Sequence, residues 1–295
     1  MKKLFFLAAT VCTILSSCSK SEAPVIEQPS KLPINLSIGQ NTRANDTAFS
    51  SGDEVGIYVV NYNGTTAGTL ATTGNHVDNM KFTYSNSVWN PASAIYWLDK
   101  TTKADFYAYY PYSASANTTS HSFSVMADQS VEANYWASDF LWGNAASIEP
   151  TENAVPITTN HVFSNILVYL EAGTGFTADD FANLNKSVKI TNVKTNATIN
   201  LATGIATAVG EAATVTAWNV GDYYRAMIVP QTVADDTSLI TVTVDGVDYT
   251  LASGMTFVAN KQHKFTVTIN KSSNGVNIGI GGWDTDDNDY GGDAE

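Results

Sequence analysis

Short runs in which every second residue is apolar recur along the chain, and a period of two can bury one face of an extended strand but not of a helix. Leu32, Ile34, Leu36 and Ile38 alternate with Pro33, Asn35 and Ser37. Phe265, Val267 and Ile269 follow the same rule, as do Val276, Ile278 and Ile280. Further β-type runs lie at residues 55–60, 105–110, 163–170, 226–229 and 239–244, and around Val188 and Ile190. The run at 239–244 meets Asp245-Gly246 and continues as Val247 to Leu251, the strongest hairpin signal in the sequence. Pro111 stops the run at 105–110, and Pro33 predicts a place at a sheet edge for the first strand. One short helix is expected, with Thr177 as its cap and residues 178–184 as its body. Many short strands separated by turn residues predict an all-β fold of sandwich type.

The N-terminus reads as an export signal. Met1-Lys2-Lys3 supplies positive charge, and residues 4–15 are apolar but too short to span a bilayer. The stretch ends in Leu15-Ser16-Ser17-Cys18, which resembles the lipobox of bacterial lipoproteins. The resemblance implies that residues 1–17 are removed and that the Cys18 thiol carries lipid, with Ser19 favouring passage to the outer membrane. Each buried methylene of an acyl chain contributes about 0.8 kcal/mol, so several chains hold firmly. Residues 18–30, with Pro24 and Pro29 and no periodicity, read as a tether. Cys12 is lost with the signal, so the mature chain keeps only Cys18 and forms no internal disulfide. Its stability must come from its core, and the length suits about two domains. We expect them at residues 31–156 and 157–295.

Formal net charge is -13, which argues against a nucleic-acid partner, since phosphate binding needs clustered lysine and arginine. Signatures of catalysis are not found, and no enzyme activity or cofactor is expected. His76, His121, His161 and His263 show no paired metal-ligand spacing. No Gly-x-Ser-x-Gly elbow or phosphate loop occurs, and nothing singles out a glycosidase carboxylate pair. Asp284, Asp286, Asn288 and Glu295 fall at calcium-loop positions, but Asp289 stands where the sharp turn needs Gly. A solvated acidic tail is the expectation, and no metal. Tyr107, Tyr109, Tyr110, Tyr112, Tyr135, Trp136 and Trp142 could stack on sugars, although core packing with polar tips at the surface is the better reading.

An ordered set of segments resembles the fimbrillin family, the lipoprotein-derived subunits of type V pili in Bacteroidales. The set begins with the box ending in Cys18, Thr42-Arg43-Ala44 and the segment from Ser51 to Val59. It continues with Tyr96-Trp97, the segment from Asp105 to Pro111, Asp139-Phe140-Leu141-Trp142-Gly143 and His161-Val162-Phe163-Ser164. It ends with the segment from Asn260 to Val267 and with Trp283. The resemblance implies two transthyretin-like β-sandwich domains, a surface location at the outer membrane, and polymerisation with other pilus subunits to serve adhesion. It also implies activation by an arginine-specific protease cutting between Arg43 and Ala44. The displaced first strand would carry Leu32, Ile34, Leu36 and Ile38, and the candidate donor would carry Val276, Ile278 and Ile280. The last of these could instead be a strand packed at home. A surface lipoprotein that binds glycans and never polymerises is the alternative function.

Overall fold

In the structure, a computed structural model, residues 31–40, 49–270 and 277–280 are described. The first strands are β1 (Leu36–Gln40), β2 (Glu54–Asn61), β3 (Val77–Ser85), β4 (Val88–Pro91), β5 (Ala104–Tyr110) and β6 (His121–Ser124). After a short helix α1 (Glu132–Ala137) come β7 (Leu141–Ile148), β8 (Val155–His161) and β9 (Ser164–Ala172). Helix α2 (Ala178–Asn183) precedes the long pair β10 (Lys186–Asn200) and β11 (Ile205–Thr216). The chain continues through β12 (Trp218–Asn219), β13 (Tyr224–Ile228), β14 (Gln231–Val233), β15 (Ser238–Val244) and β16 (Val247–Ala252). It closes with β17 (Met255–Phe257), β18 (Gln262–Asn270) and β19 (Asn277–Ile280).

A seven-stranded sheet runs in the order β1-β8-β7-β5-β2-β3-β4 and uses residues 36–161 only. One five-stranded sheet orders β11-β10-β15-β16, with β6 also paired to β10, and another orders β12-β13-β9-β18-β19. The pair β14-β17 completes the set. Residue 156, where the sequence suggests a boundary, lies inside β8 of the seven-stranded sheet. Strand β6 also crosses between the groups, pairing its residues 121–124 with 196–199 of β10.

Two buried clusters account for the pattern of β2. Val55, Ile57 and Val59 enter one cluster with Phe82, Phe106 and Ala108. Tyr58 and Val60 enter the other, with Tyr109, Phe140 and side chains from residue 162 onward. A strand buried on both faces reads as a continuous apolar run, and residues 55–60 read that way. Where one face meets solvent, alternation returns: Phe265, Val267 and Ile269 of β18 are buried and their neighbours are not.

Local signals hold where the energetics are local. Thr177 Oγ1 accepts the Asp180 N–H at 3.1 Å and starts α2 as expected. Asp245 and Gly246 take φ of 47° and 86°, the left-handed pair that a two-residue turn between β15 and β16 requires. Helix α1 has no side-chain cap at Val131, and the sequence reading misses it. It is held by burial, through Tyr135, whose ring lies 4.3 Å from the guanidinium carbon of Arg225.

Three tyrosines, two buried and one half-buried, give the seven-stranded sheet an alkaline signature. Burial raises the Tyr58 phenol from 10.0 to about 12, and its hydroxyl has no hydrogen-bond partner among the described residues. Burial, with the Asp53 carboxylate beside it, raises Tyr110 to about 12. Burial pushes Tyr109 up as well. These values exceed that of the unfolded chain, so the unfolded state loses these protons first. The stability they contribute is complete below about pH 10 and disappears as pH climbs toward about 12. A spectrophotometric titration should show a late class among the 14 tyrosines, and the melting temperature should fall across that window. Uniform ionisation of all tyrosines near pH 10 would contradict this.

Candidate functional site

Residues 32–40 fill a groove whose two flanks come from distant parts of the chain. Ile34, Leu36 and Ile38 are each below 8% exposed and point into the cluster that holds Trp89, Trp97, Phe106, Val155 and Ile157. Leu32 is half-buried against the same cluster. Placing these side chains there is worth roughly 1.5–3 kcal/mol apiece. The expected face is therefore the buried one, and the intervening Pro33, Asn35, Ser37 and Gly39 are exposed.

The main chain is held on both sides. Along one flank β1 runs parallel to β8, with Leu36 opposite Val155, Ile38 opposite Ile157 and Gln40 opposite Thr159. The Val155 N–H reaches the Asn35 carbonyl at 2.8 Å, and the Thr159 hydroxyl reaches the Gly39 carbonyl at 3.0 Å. Along the other flank the Ile34 N–H donates to the Ile95 carbonyl and the Trp97 N–H to the Leu32 carbonyl, both at 2.9 Å. Beyond them, the buried Trp89 indole N–H donates to the Ile38 carbonyl at 3.0 Å. So β1 is the outermost strand of its sheet, as Pro33 suggests, yet it is covered. Loss of residues 32–40 would strip an apolar trough and leave the donors of Trp89, Trp97 and Val155 without acceptors, which is costly in a buried site.

Of the flanking residues, Trp89, Ile95, Val155, Ile157 and Thr159 are absent from the sequence reading. Val155, Ile157 and Thr159 alternate and could have marked a strand; Trp89 carries no local signal for its role. Tyr96-Trp97 belongs to the segments that resemble the family, and here it closes the groove.

The remaining candidate residues are placed as follows. Cys18, Arg43, Ala44 and Val276 lie outside the described residues, as do Asp284, Asp286, Asn288, Asp289 and Glu295. Ile278 and Ile280 sit in β19, whose backbone pairs antiparallel with β18, Ile280 opposite Val267 and Ile278 opposite Ile269. Arg225, the second arginine, is 6% exposed in β13 and donates to the Tyr135 hydroxyl.

Burial lowers the basicity of His121 and His263, and His263 Nε2 accepts the Val258 N–H at 3.1 Å. His161 pairs with Asp139 at 2.9 Å, and His76 donates to the Tyr96 carbonyl at 2.7 Å. Among the described residues no group of three or more histidine, cysteine or acidic side chains could hold a metal ion. Tyr109 and Tyr135 are core residues, and Trp142 is half-buried with its indole N–H on the Leu201 carbonyl at 2.7 Å.

A family model described as fimbrillin-like matches residues 42–283, most of the sequence. The chain belongs to the fimbrillin-like family. This fimbrillin-like protein is 28% identical over 308 aligned residues to Fim1C, a candidate fimbrium subunit of Bacteroides uniformis, with 96% of each chain covered. Its fold is that of a solved candidate cell-adhesion protein from Bacteroides uniformis, with a TM-score of 0.62 at 24% identity. That match covers 86% of this chain and 98% of the other. A second such protein, from Bacteroides ovatus, gives a TM-score of 0.63 at 17% identity, covering 85% and 96%. The region matched to the family begins at residue 42, just past the end of β1 at Gln40.

Proposed function

We propose that this fimbrillin-like protein is a structural subunit of a surface pilus that serves adhesion, and that it polymerises by exchanging the strand in the groove of residues 32–40. The observation that carries the reading is the groove itself. An apolar strand, bonded on both flanks, is joined to β2 only through the segment that contains Arg43. In this reading an arginine-specific protease cuts between Arg43 and Ala44, and Leu32, Ile34, Leu36 and Ile38 leave. A strand of another subunit then takes their place by β-addition. The candidate donor is the segment of Val276, Ile278 and Ile280. To donate, β19 must give up its pairing with β18, which is possible because it is the outermost strand of its sheet. Fim1C is named for a fimbrium, and the two solved relatives for cell adhesion, which supports the same role.

Limited digestion with an arginine-specific protease, followed by sizing, tests this. The cut protein should form a ladder of oligomers, and a product that stays monomeric would sink the reading. Ile278→Asp should cut and stay folded yet fail to ladder; normal laddering would remove this donor and leave the groove intact.

Cys18 is the proposed lipid anchor at the outer membrane. In cells, Cys18→Ser should move the protein from the membrane fraction to the soluble fraction. Recovery of the variant in the membrane at wild-type level would count against the anchor.

A further inference from the structure

The groove grips the first strand differently at its two ends. At the N-terminal end, main chain meets main chain, through Ile95 and Trp97. At the C-terminal end the main-chain ladder with β8 continues along residues 36–40, and two side chains from opposite flanks are added to it: the Trp89 indole N–H on the Ile38 carbonyl and the Thr159 hydroxyl on the Gly39 carbonyl, each at 3.0 Å. Successive carbonyls of a strand point to opposite edges, so two donors on adjacent residues hold the strand from both sides. Both donors are also held by packing of their own. Trp89 is buried in an aromatic cluster, 4.8 Å from the Phe49 ring and 5.0 Å from the Tyr84 ring. Thr159 is 1% exposed in β8.

Resting on the strand-exchange reading of this groove, we propose that Trp89 and Thr159 form a carbonyl clamp. They are positioning residues that hold the end of whichever extended peptide fills the groove, nearest the Arg43 segment. The clamp touches only main-chain oxygen, and every strand carries that atom. It therefore grips a strand without reading its side chains, while the trough beneath asks only for aliphatic residues at alternate positions. The partner is thus an extended peptide defined by that alternation rather than by a particular sequence. The clamp also fixes which face enters, because a one-residue slip turns both the carbonyls and the side chains the wrong way.

The uncut chain gives a first test that does not depend on exchange. Trp89→Phe keeps a ring in the cluster and removes the donor, and Thr159→Val keeps the shape and removes the hydroxyl. Each should speed hydrogen exchange of the amides of residues 36–39 by about tenfold, the order expected for one hydrogen bond in a buried site. The amides of β5 should keep their protection. Unchanged exchange at residues 36–39, or loss of protection in step with β5, would overturn the clamp.

The second test uses protein cut after Arg43 and labelled synthetic peptides of residues 31–40. A peptide with Ile34, Leu36 and Ile38 all replaced by Val should lose the same factor, again about tenfold, on going from wild type to Trp89→Phe. A peptide whose Ile38 carbonyl oxygen is replaced by sulfur, a weaker acceptor, should bind wild type less well and cost Trp89→Phe much less. Equal losses in both proteins would mean no coupling and refute the clamp. Failure of any peptide to enter the cut wild-type protein would instead refute the exchange reading, with the clamp decided by the uncut chain.

Discussion

Arg43→Ala should leave the protein monomeric under digestion conditions that convert the wild type to oligomers. The sequence has two arginines, Arg43 and Arg225. Arg43 lies in a polar segment after β1. Arg225 is packed in β13, its guanidinium stacked over the Tyr135 and Trp136 rings at 4.3 and 5.6 Å. A protease therefore needs unfolding to reach Arg225, which leaves Arg43 as the cut site of the proposed mechanism.

The size of the effect follows from the tether. While residues 32–40 remain covalently attached, they face the groove at an effective concentration on the order of millimolar or higher. A free donor strand at micromolar concentration then competes at a disadvantage of roughly a thousandfold, even with equal intrinsic affinity. Cutting the segment turns the resident strand into a ligand that can be diluted away. Oligomers from Arg43→Ala at wild-type yield would remove the activation step from the mechanism and leave the groove as a permanent fixture.

Gly143→Ala should strongly destabilise the seven-stranded sheet. A Cβ there would stand 2.2 Å from the Thr158 carbonyl oxygen and 2.9 Å from its carbon, both main-chain atoms. Strand β7 lies between β5 and β8, so relief by backbone movement breaks one ladder or the other. Overpacking of this kind costs about 3 kcal/mol, a fall of about 10 °C in Tm for a chain of this size. Any retreat of β8 also shifts Thr159 and the parallel ladder under β1, so first-strand amides should lose protection as well. Gly39→Ala is the control, since a Cβ there meets nothing within 4 Å. A Gly143→Ala protein melting within about 2 °C of wild type would show that the sheet yields easily at this point.

Features whose energetics are local were legible in the order of the residues. The alternation of Leu32, Ile34, Leu36 and Ile38 specified which face of the first strand is buried. Thr177 started α2, and Asp245-Gly246 turned β15 into β16, because a cap and a left-handed pair of residues act over a few positions. The polar, alanine-rich β11 gave little signal, since it pairs along an exposed edge and buries few of its side chains. What the first strand lies against was not legible there. Its partner β8 is more than a hundred residues away and runs parallel, an arrangement that needs no turn and so leaves no mark beside either strand. The same holds for Trp89 bonded to Ile38 and Arg225 stacked over Tyr135, contacts that exist because the sheets bring distant segments together. Period-two patterning fixes a face, but which surface that face meets depends on how all the strands share the core.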